Sequence, residues 1–222
     1  MLCRKSICIV RRSADNGKIK ENKMWALVES NEIKEIIRNS KPMTIGNVQY
    51  PSNIFSSWSS SDLEAIGLYE ITIDYDNLKD EKYYVNGDIV YTYASNAVTG
   101  AYPSAVAKPL NDVLWLDSDD KPAGVSTGDV KVEGLKNIGK RDINAEANSL
   151  LSRYDWYTLR AADGGTAVPS NIATYRAAVR TQANAMCTKI DSVSTVDELA
   201  AQYVYDTFTP PARPLGEWPV LG

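Results

Sequence analysis

The spacing of apolar residues changes character part-way along the chain. Before about residue 100 they come in short runs with a period near two. Met24-Trp25-Ala26-Leu27-Val28-Glu29 reads as a strand, Asn31-Glu32 as a turn and Ile33-Lys34-Glu35-Ile36-Ile37 as its partner. Met43 to Tyr50, folded around Gly46-Asn47, reads as a second hairpin. Ser61-Asp62-Leu63-Glu64 fits a capping box opening one short helix, with Gly67 as its stop. From Leu68 to Tyr75 apolar and polar residues alternate again, as in a half-buried strand. Tyr83-Tyr84-Val85, Asn86-Gly87 and Ile89 to Tyr93 predict a hairpin, since Asn-Gly supplies both left-handed positions of a type I′ turn.

The second half is helical. Ile143, Ala147, Leu150, Leu151 and Tyr154 share one face of a helix. A helix starting near Pro169 carries the stripe Ile172, Tyr175, Val179, Met186 and Ile190. Thr195-Val196-Asp197-Glu198 is a capping box for a last helix that turns Val196, Leu199 and Tyr203 inward. The pattern predicts an α+β protein. A basic extension (1–23) precedes a β-rich module (24–100) with one short helix. A connector with local strands (101–131), a module of about three helices (132–209) and an extended Pro-rich arm (210–222) follow.

Composition adjusts this picture in three places. Thirteen Tyr and five Trp stand against two Phe, a bias toward rings that are apolar in body and polar at the tip, as at interfaces. The net charge of −4 is unevenly spread. Residues 1–23 hold seven Lys/Arg and two acids, leaving the remainder at −9 with 17 basic and 26 acidic residues. An acidic body argues against general nucleic-acid binding. Finally, the chain has no histidine, which removes Ser-His-Asp and Cys-His catalysis and histidine-ligated metals together.

Other chemistry is sparse. Cys3, Cys8 and Cys187 form no CxxC pair, so neither a zinc site nor a disulfide framework is expected. No apolar run reaches the roughly 20 residues of a membrane span, and Ile7 to Val10 is too short for a signal-peptide core, so residues 1–23 read as a non-secretory tail. Met24 stands as an alternative start of translation. Gly124-Val125-Ser126-Thr127-Gly128 matches the hydrolase elbow pattern but lacks a histidine base and a strand–turn–helix setting, and reads as a Gly-rich turn. Asp117, Asp119 and Asp120 fail the calcium-loop spacing, with Pro122 and Gly128 where Gly and Glu belong. With no nucleophile, base and orienting group to assemble, an enzyme is not expected. No cofactor is expected either.

Arg176 and Arg180 lie four residues apart on one helix and leave two readings open. They are a solvated or ion-paired face, with Asp155 a possible partner, or they are contacts to another protein. Trp156 and Trp218 suit docking or core anchoring.

These residues also carry a resemblance. Ala147-Asn148-Ser149-Leu150-Leu151, Asp155-Trp156-Tyr157, Tyr175-Arg176, Arg180 and Trp218-Pro219 stand in the order seen in bacteriophage tail fibre assembly proteins, also called tail assembly chaperones. Met24 to Glu29, Ile45 to Pro51 and Trp58 to Tyr69 resemble the β-rich start of such phage proteins. The chain departs from that pattern in a longer loop between Tyr157 and Tyr175, a longer stretch from Thr188 to Pro214, and the extension before Met24. The resemblance implies a virion (tail) protein, assembled in the host cytoplasm and bound to other tail or tail-fibre proteins. It implies a homo-oligomer or a ring- or fibre-associated protein, with Asp155, Trp156, Tyr175, Arg176, Arg180 and Trp218 as partner-binding residues. A transient assembly chaperone and a carbohydrate- or host-surface-binding module are the alternatives.

Overall fold

The structure is a computed structural model, and it describes residues 23–222. The expected basic extension, with Cys3 and Cys8, lies outside the described residues except for Lys23. The fold is α+β. It divides into two compact units: the described residues up to Tyr75 with Ile89–Ala101, and Asp76–Asp88 with Tyr102–Gly222.

The first unit is built on a sheet of five strands. In chain order they are β1 (Trp25–Glu29), β2 (Glu32–Ile37), β5 (Leu68–Asp74), β7 (Val90–Ala94) and β8 (Ala97–Ala101). Their order across the sheet is β2-β1-β5-β8-β7, antiparallel throughout except for the β5–β8 pair. The sheet curls into a half-barrel, bringing its edge strands β2 and β7 near each other.

Strand β1 is buried over four consecutive residues because both sheet faces are covered. Alternation sends Trp25 and Leu27 to one face, where they join Ile37 and Leu68. That face is covered by the hairpin β3 (Met43–Ile45) and β4 (Val48–Tyr50) and by helices α1 (Ile54–Ser57) and α2 (Ser60–Ala65), through Met43, Ile54, Phe55 and Leu63. Ala26 and Val28 lie on the opposite face with Ile71 and Val98. Tyr69 and Tyr93 close that side, with ring centroids 5.0 Å apart and hydroxyls 3.2 Å apart.

Two-residue turns with both residues left-handed join the paired strands. Ser30-Asn31 (φ 53° and 64°) links β1 to β2, and Ser95-Asn96 (φ 51° and 59°) links β7 to β8. The first lies one residue before the expected Asn31-Glu32. Gly67 (φ 84°) ends α2, and a Cβ there would sit 2.6 Å from the Val28 carbonyl oxygen.

The second unit holds two short ribbons and four helices. The ribbons pair β6 (Tyr84–Val85) with β9 (Val106–Ala107), and β10 (Val113–Leu114) with β11 (Val130–Val132). The helices are α3 (Leu135–Ser152), α4 (Asp155–Ala162), α5 (Ser170–Ser192) and α6 (Val196–Ala201). Helices α3 and α5 form the main packed pair. The expected stripe on α5 is buried along its length, and from Tyr175 to Ile190 it joins Ile143 and Ala147 of α3, Val196 and Leu199 of α6, and Leu215. Thr195 caps α6, accepting from the Glu198 amide at 3.1 Å, while the Glu198 carboxylate accepts from the Ser194 amide. The Pro-rich segment has no helix or strand, yet it lies against the helices. Leu215 is in the core, its amide donates to the Gln202 carbonyl, and Lys189 donates to the Pro214 carbonyl.

Three local expectations are corrected. The capping box of α2 is Ser59 with Asp62, not Ser61 with Glu64, because Ser59 has the extended backbone of a cap and its hydroxyl accepts from the Asp62 amide. Asn86-Gly87 makes no hairpin. The Asn86 side chain accepts from the Lys79 amide and donates to the Lys79 carbonyl, pinning the residue to the loop seven residues before it. Gly87 serves close packing, since a Cβ would lie 2.7 Å from Pro103. Tyr84-Val85 consequently pairs with Val106-Ala107, and β7 turns back at Ser95-Asn96. The second unit also has four helices where about three were expected, the extra one being α4, and the β-rich unit has two short helices where one was expected.

Candidate functional site

The corner where α3 ends, α4 begins and α5 starts brings together most of the residues singled out in the sequence. Helix α3 ends at Ser152, and after two intervening residues Asp155 opens α4. A carboxylate in a first helical turn faces the positive end of the helix dipole. Across from it, Arg176 projects from the first half of α5. It is the buried charged side chain among the described residues. Its Nη1 donates to the Leu151 carbonyl at 2.6 Å, and its Nη2 lies 2.9 Å from Asp155 Oδ1. The Leu151 carbonyl belongs to the last turn of α3, where it also accepts from the Tyr154 amide at 3.1 Å. One guanidinium therefore ties the end of one helix and the start of the next to a third. Beside it Tyr175 is buried, its ring edge-on to Tyr154 at 5.6 Å.

The tie leaves the outer side of α4 uncovered. No residue of α4 is buried. Trp156 is 51% exposed and Leu159 65%. The Trp156 and Tyr157 rings lie 3.8 Å apart at 31°, and the Arg160 guanidinium sits 4.9 Å from the first centroid and 5.3 Å from the second. Such stacking on a cation fixes a large apolar surface in one orientation. Gly164 (φ 81°) then ends the helix, and the Gly165 amide donates to the Arg160 carbonyl.

The six sequence-selected residues thus separate. Arg176 pairs with Asp155 and Tyr175 packs on Tyr154, and both Tyr175 and Arg176 are buried within the unit. Trp156 stands at the surface next to them. Arg180, one turn beyond Arg176, is exposed. Trp218 is half-buried elsewhere on the unit, packed on the core with its Nε1 donating to Glu146 of α3 at 2.8 Å.

A second feature, without a clear sign in the sequence, is a cavity of about 110 Å³ lined by Lys82, Tyr83, Lys108, Asp142 and Tyr203 among others. Lys82 lies over the Tyr203 ring at 4.3 Å and near that of Tyr83 at 5.2 Å. Burial pushes the Tyr83 phenol up to about 12. Tyr203 is raised as well, by burial and then by Asp142. Both phenols hold their protons at neutral pH, which makes them donors there and not nucleophiles or bases. The closest sequence sign was the adjacent pair Tyr83-Tyr84.

The glycine-flanked Ser126 lies in the loop between β10 and β11. Gly124 and Gly128 are left-handed (φ 86° and 92°), and the Ser126 amide donates to Asp129. In the acidic turn, Asp117 accepts from the Thr127 hydroxyl. Asp119 accepts from the Leu116 amide and pairs with Lys131 at 3.2 Å, and both contacts hold its carboxyl below the ordinary range. Among the described residues no group of three or more His, Cys, Asp or Glu is placed to hold a metal ion. No helix among them is long and apolar enough to cross a membrane.

Comparison with protein-family models, curated proteins and solved structures produced no match to this chain.

Proposed function

We propose that this chain is a non-enzymatic, tail-associated structural or assembly protein of a bacteriophage. The β-rich module binds one tail or tail-fibre component and the helical module another, with the Pro-rich segment as part of the second contact. Trp156, flanked by Tyr157, Leu159 and Arg160, is the central contact of the helical module, and Arg180 adds to it. Asp155, Tyr175 and Arg176 hold that surface in place from beneath.

The observation that carries this reading is the outer side of α4: an exposed tryptophan and leucine beside a half-buried, ring-stacked arginine, on a helix with no fully buried residue. Tryptophan and arginine are the residues that most often dominate binding energy at protein interfaces. The ordered motif from Leu150-Leu151 to Trp218-Pro219 supports assigning the contact to tail assembly.

The test is quantitative mass spectrometry of density-purified particles of a phage that encodes the chain. Peptides at a copy number matching a three-, six- or twelve-fold ring or fibre support a virion protein. Abundance in infected lysate with absence from particles supports the transient-chaperone alternative. A Trp156→Ala chain that restores tail assembly fully in complementation sinks the site assignment.

A further inference from the structure

The helical unit exposes a second apolar surface, on the β10–β11 hairpin. Leu114 stands opposite Val130 in the register, and strand alternation places Leu116 on the same side. These three residues are 43%, 52% and 60% exposed. Pairing continues past β10, with the Trp115 amide donating to the Asp129 carbonyl and the Gly128 amide to the Trp115 carbonyl. The result is an ordered two-stranded ribbon with aliphatic side chains in water. Ribbons of this size are marginal alone, and flat apolar strand surfaces invite association. Monomeric proteins rarely leave such side chains grouped in the open.

The two exposed surfaces differ in charge. The hairpin and its loop carry Asp112, Asp117, Asp119, Asp120 and Asp129 against Lys121 and Lys131. Asp119 is already matched by Lys131, while Asp120 at the tip is exposed. The α4 surface presents Arg160 above its rings, and the Arg160 Nε is shielded from water without a hydrogen-bond partner. One surface is apolar with acids at its rim, and the other is aromatic with a cation at its centre. Both belong to one unit of one chain, so every copy carries both halves of a complementary pair.

We propose that the α4 surface of one copy docks on the β10–β11 hairpin of a second copy. Trp156 and Leu159 pack on Leu114, Leu116 and Val130, and Arg160 faces the acidic tip. The contact is head-to-tail: it uses different surfaces on the two partners, so it propagates into a closed ring or an open filament. Each side offers a few large side chains, which puts one contact at the small end of specific interfaces. Assembly is accordingly concentration-dependent. The inference rests on α4 being a contact surface and makes no use of the assignment to a phage tail.

Sedimentation velocity of the full chain, from roughly 1 to 200 µM, tests it, because weak protein pairs associate in that range. The sedimentation coefficient is expected to rise with concentration above that of the 24.5 kDa monomer. Trp156→Ala and Leu116→Asp, both at exposed positions, are each expected to stay monomeric with unchanged circular dichroism. The decisive sample is their equimolar mixture. The Trp156→Ala chain keeps an intact hairpin and the Leu116→Asp chain an intact α4, so one good contact forms and the mixture stops at a heterodimer. A wild-type chain that is monomeric throughout, oligomers that survive either substitution, or a mixture that stays monomeric would each overturn the proposal. If self-association fails while Trp156→Ala still abolishes tail assembly, the partner on α4 is another protein and the proposed function stands.

Discussion

Replacing Arg176 by alanine should loosen the helical unit far more than any change to its visible ion-pair partner. The Arg176 side chain is 8% exposed, whereas that of Asp155 is 51% exposed. A carboxylate this wet keeps most of its hydration, so the pair itself contributes no more than ~1 kcal/mol. The bond from Nη1 to the Leu151 carbonyl is different, being short and charge-assisted, and is worth roughly 1.5–3 kcal/mol. The buried stem adds about 0.8 kcal/mol for each methylene removed. Loss of the guanidinium also removes its own desolvation cost, which offsets part of this. The net expectation for Arg176→Ala is about 3 kcal/mol, and the melting temperature of the unit falls by on the order of 10 °C. Arg176→Met keeps the stem and should cost about 2 kcal/mol, and Asp155→Asn less than ~1 kcal/mol. Urea denaturation gives the energies, and hydrogen exchange across α3, α4 and α5 locates the loss. The reasoning is refuted if Arg176→Ala lies within ~0.5 kcal/mol of wild type, or if Asp155→Asn costs as much as Arg176→Ala.

Three further outcomes are expected. Tyr83 is raised to about 12 in the fold, so its contribution is complete below the unfolded phenol value near 10 and is lost as pH climbs through 12. Alkaline denaturation monitored between those values should flatten in Tyr83→Phe. Gly67→Ala meets a left-handed backbone and the Val28 carbonyl at once, and a loss of about 3 kcal/mol or more in the unfolding free energy of the β-rich unit, measured by urea denaturation, is expected. Thr195→Ala removes the cap of α6 and should lower stability by ~1 kcal/mol without altering the α3–α5 core, as read by near-ultraviolet circular dichroism.

What the sequence disclosed and what it hid follow from the range of the interactions. The α5 stripe was legible because helical period and burial are both local, and Ile172 to Ile190 needed no distant information. The Thr195 cap and the Gly46 turn were legible for the same reason. Asn86-Gly87 misled because its preference for a hairpin is local while its actual partner, Lys79, is held by a side chain seven residues away. The true turn, Ser95-Asn96, has a weaker signature and sits between alanines. At the candidate site, residue types were legible and depth was not. Arg176 and Arg180 occupy nearly the same helix face, yet the end of α3 covers one and leaves the other open. Only the position of Leu151, fixed by tertiary packing, distinguishes them. The cavity beside Tyr83 escaped notice because its walls come from four separate stretches of chain.

The path of the chain between the two units bears on synthesis. The backbone leaves the β-rich unit at Tyr75, contributes residues 76–88 to the helical unit, and returns with Ile89–Ala101. Strand β8 lies between β5 and β7, so the sheet has no finished order until residue 101 is available. A nascent chain ending at Tyr75 would carry the hydrogen-bonding edge of Ile71–Asp74 open, and no single cut in the gene yields both units whole. Ribosome-bound fragments should therefore gain a protease-resistant sheet only after residue 101 clears the exit tunnel. The helical unit, whose core draws on Tyr83 and on Leu215 alike, completes only when nearly the whole chain has been made.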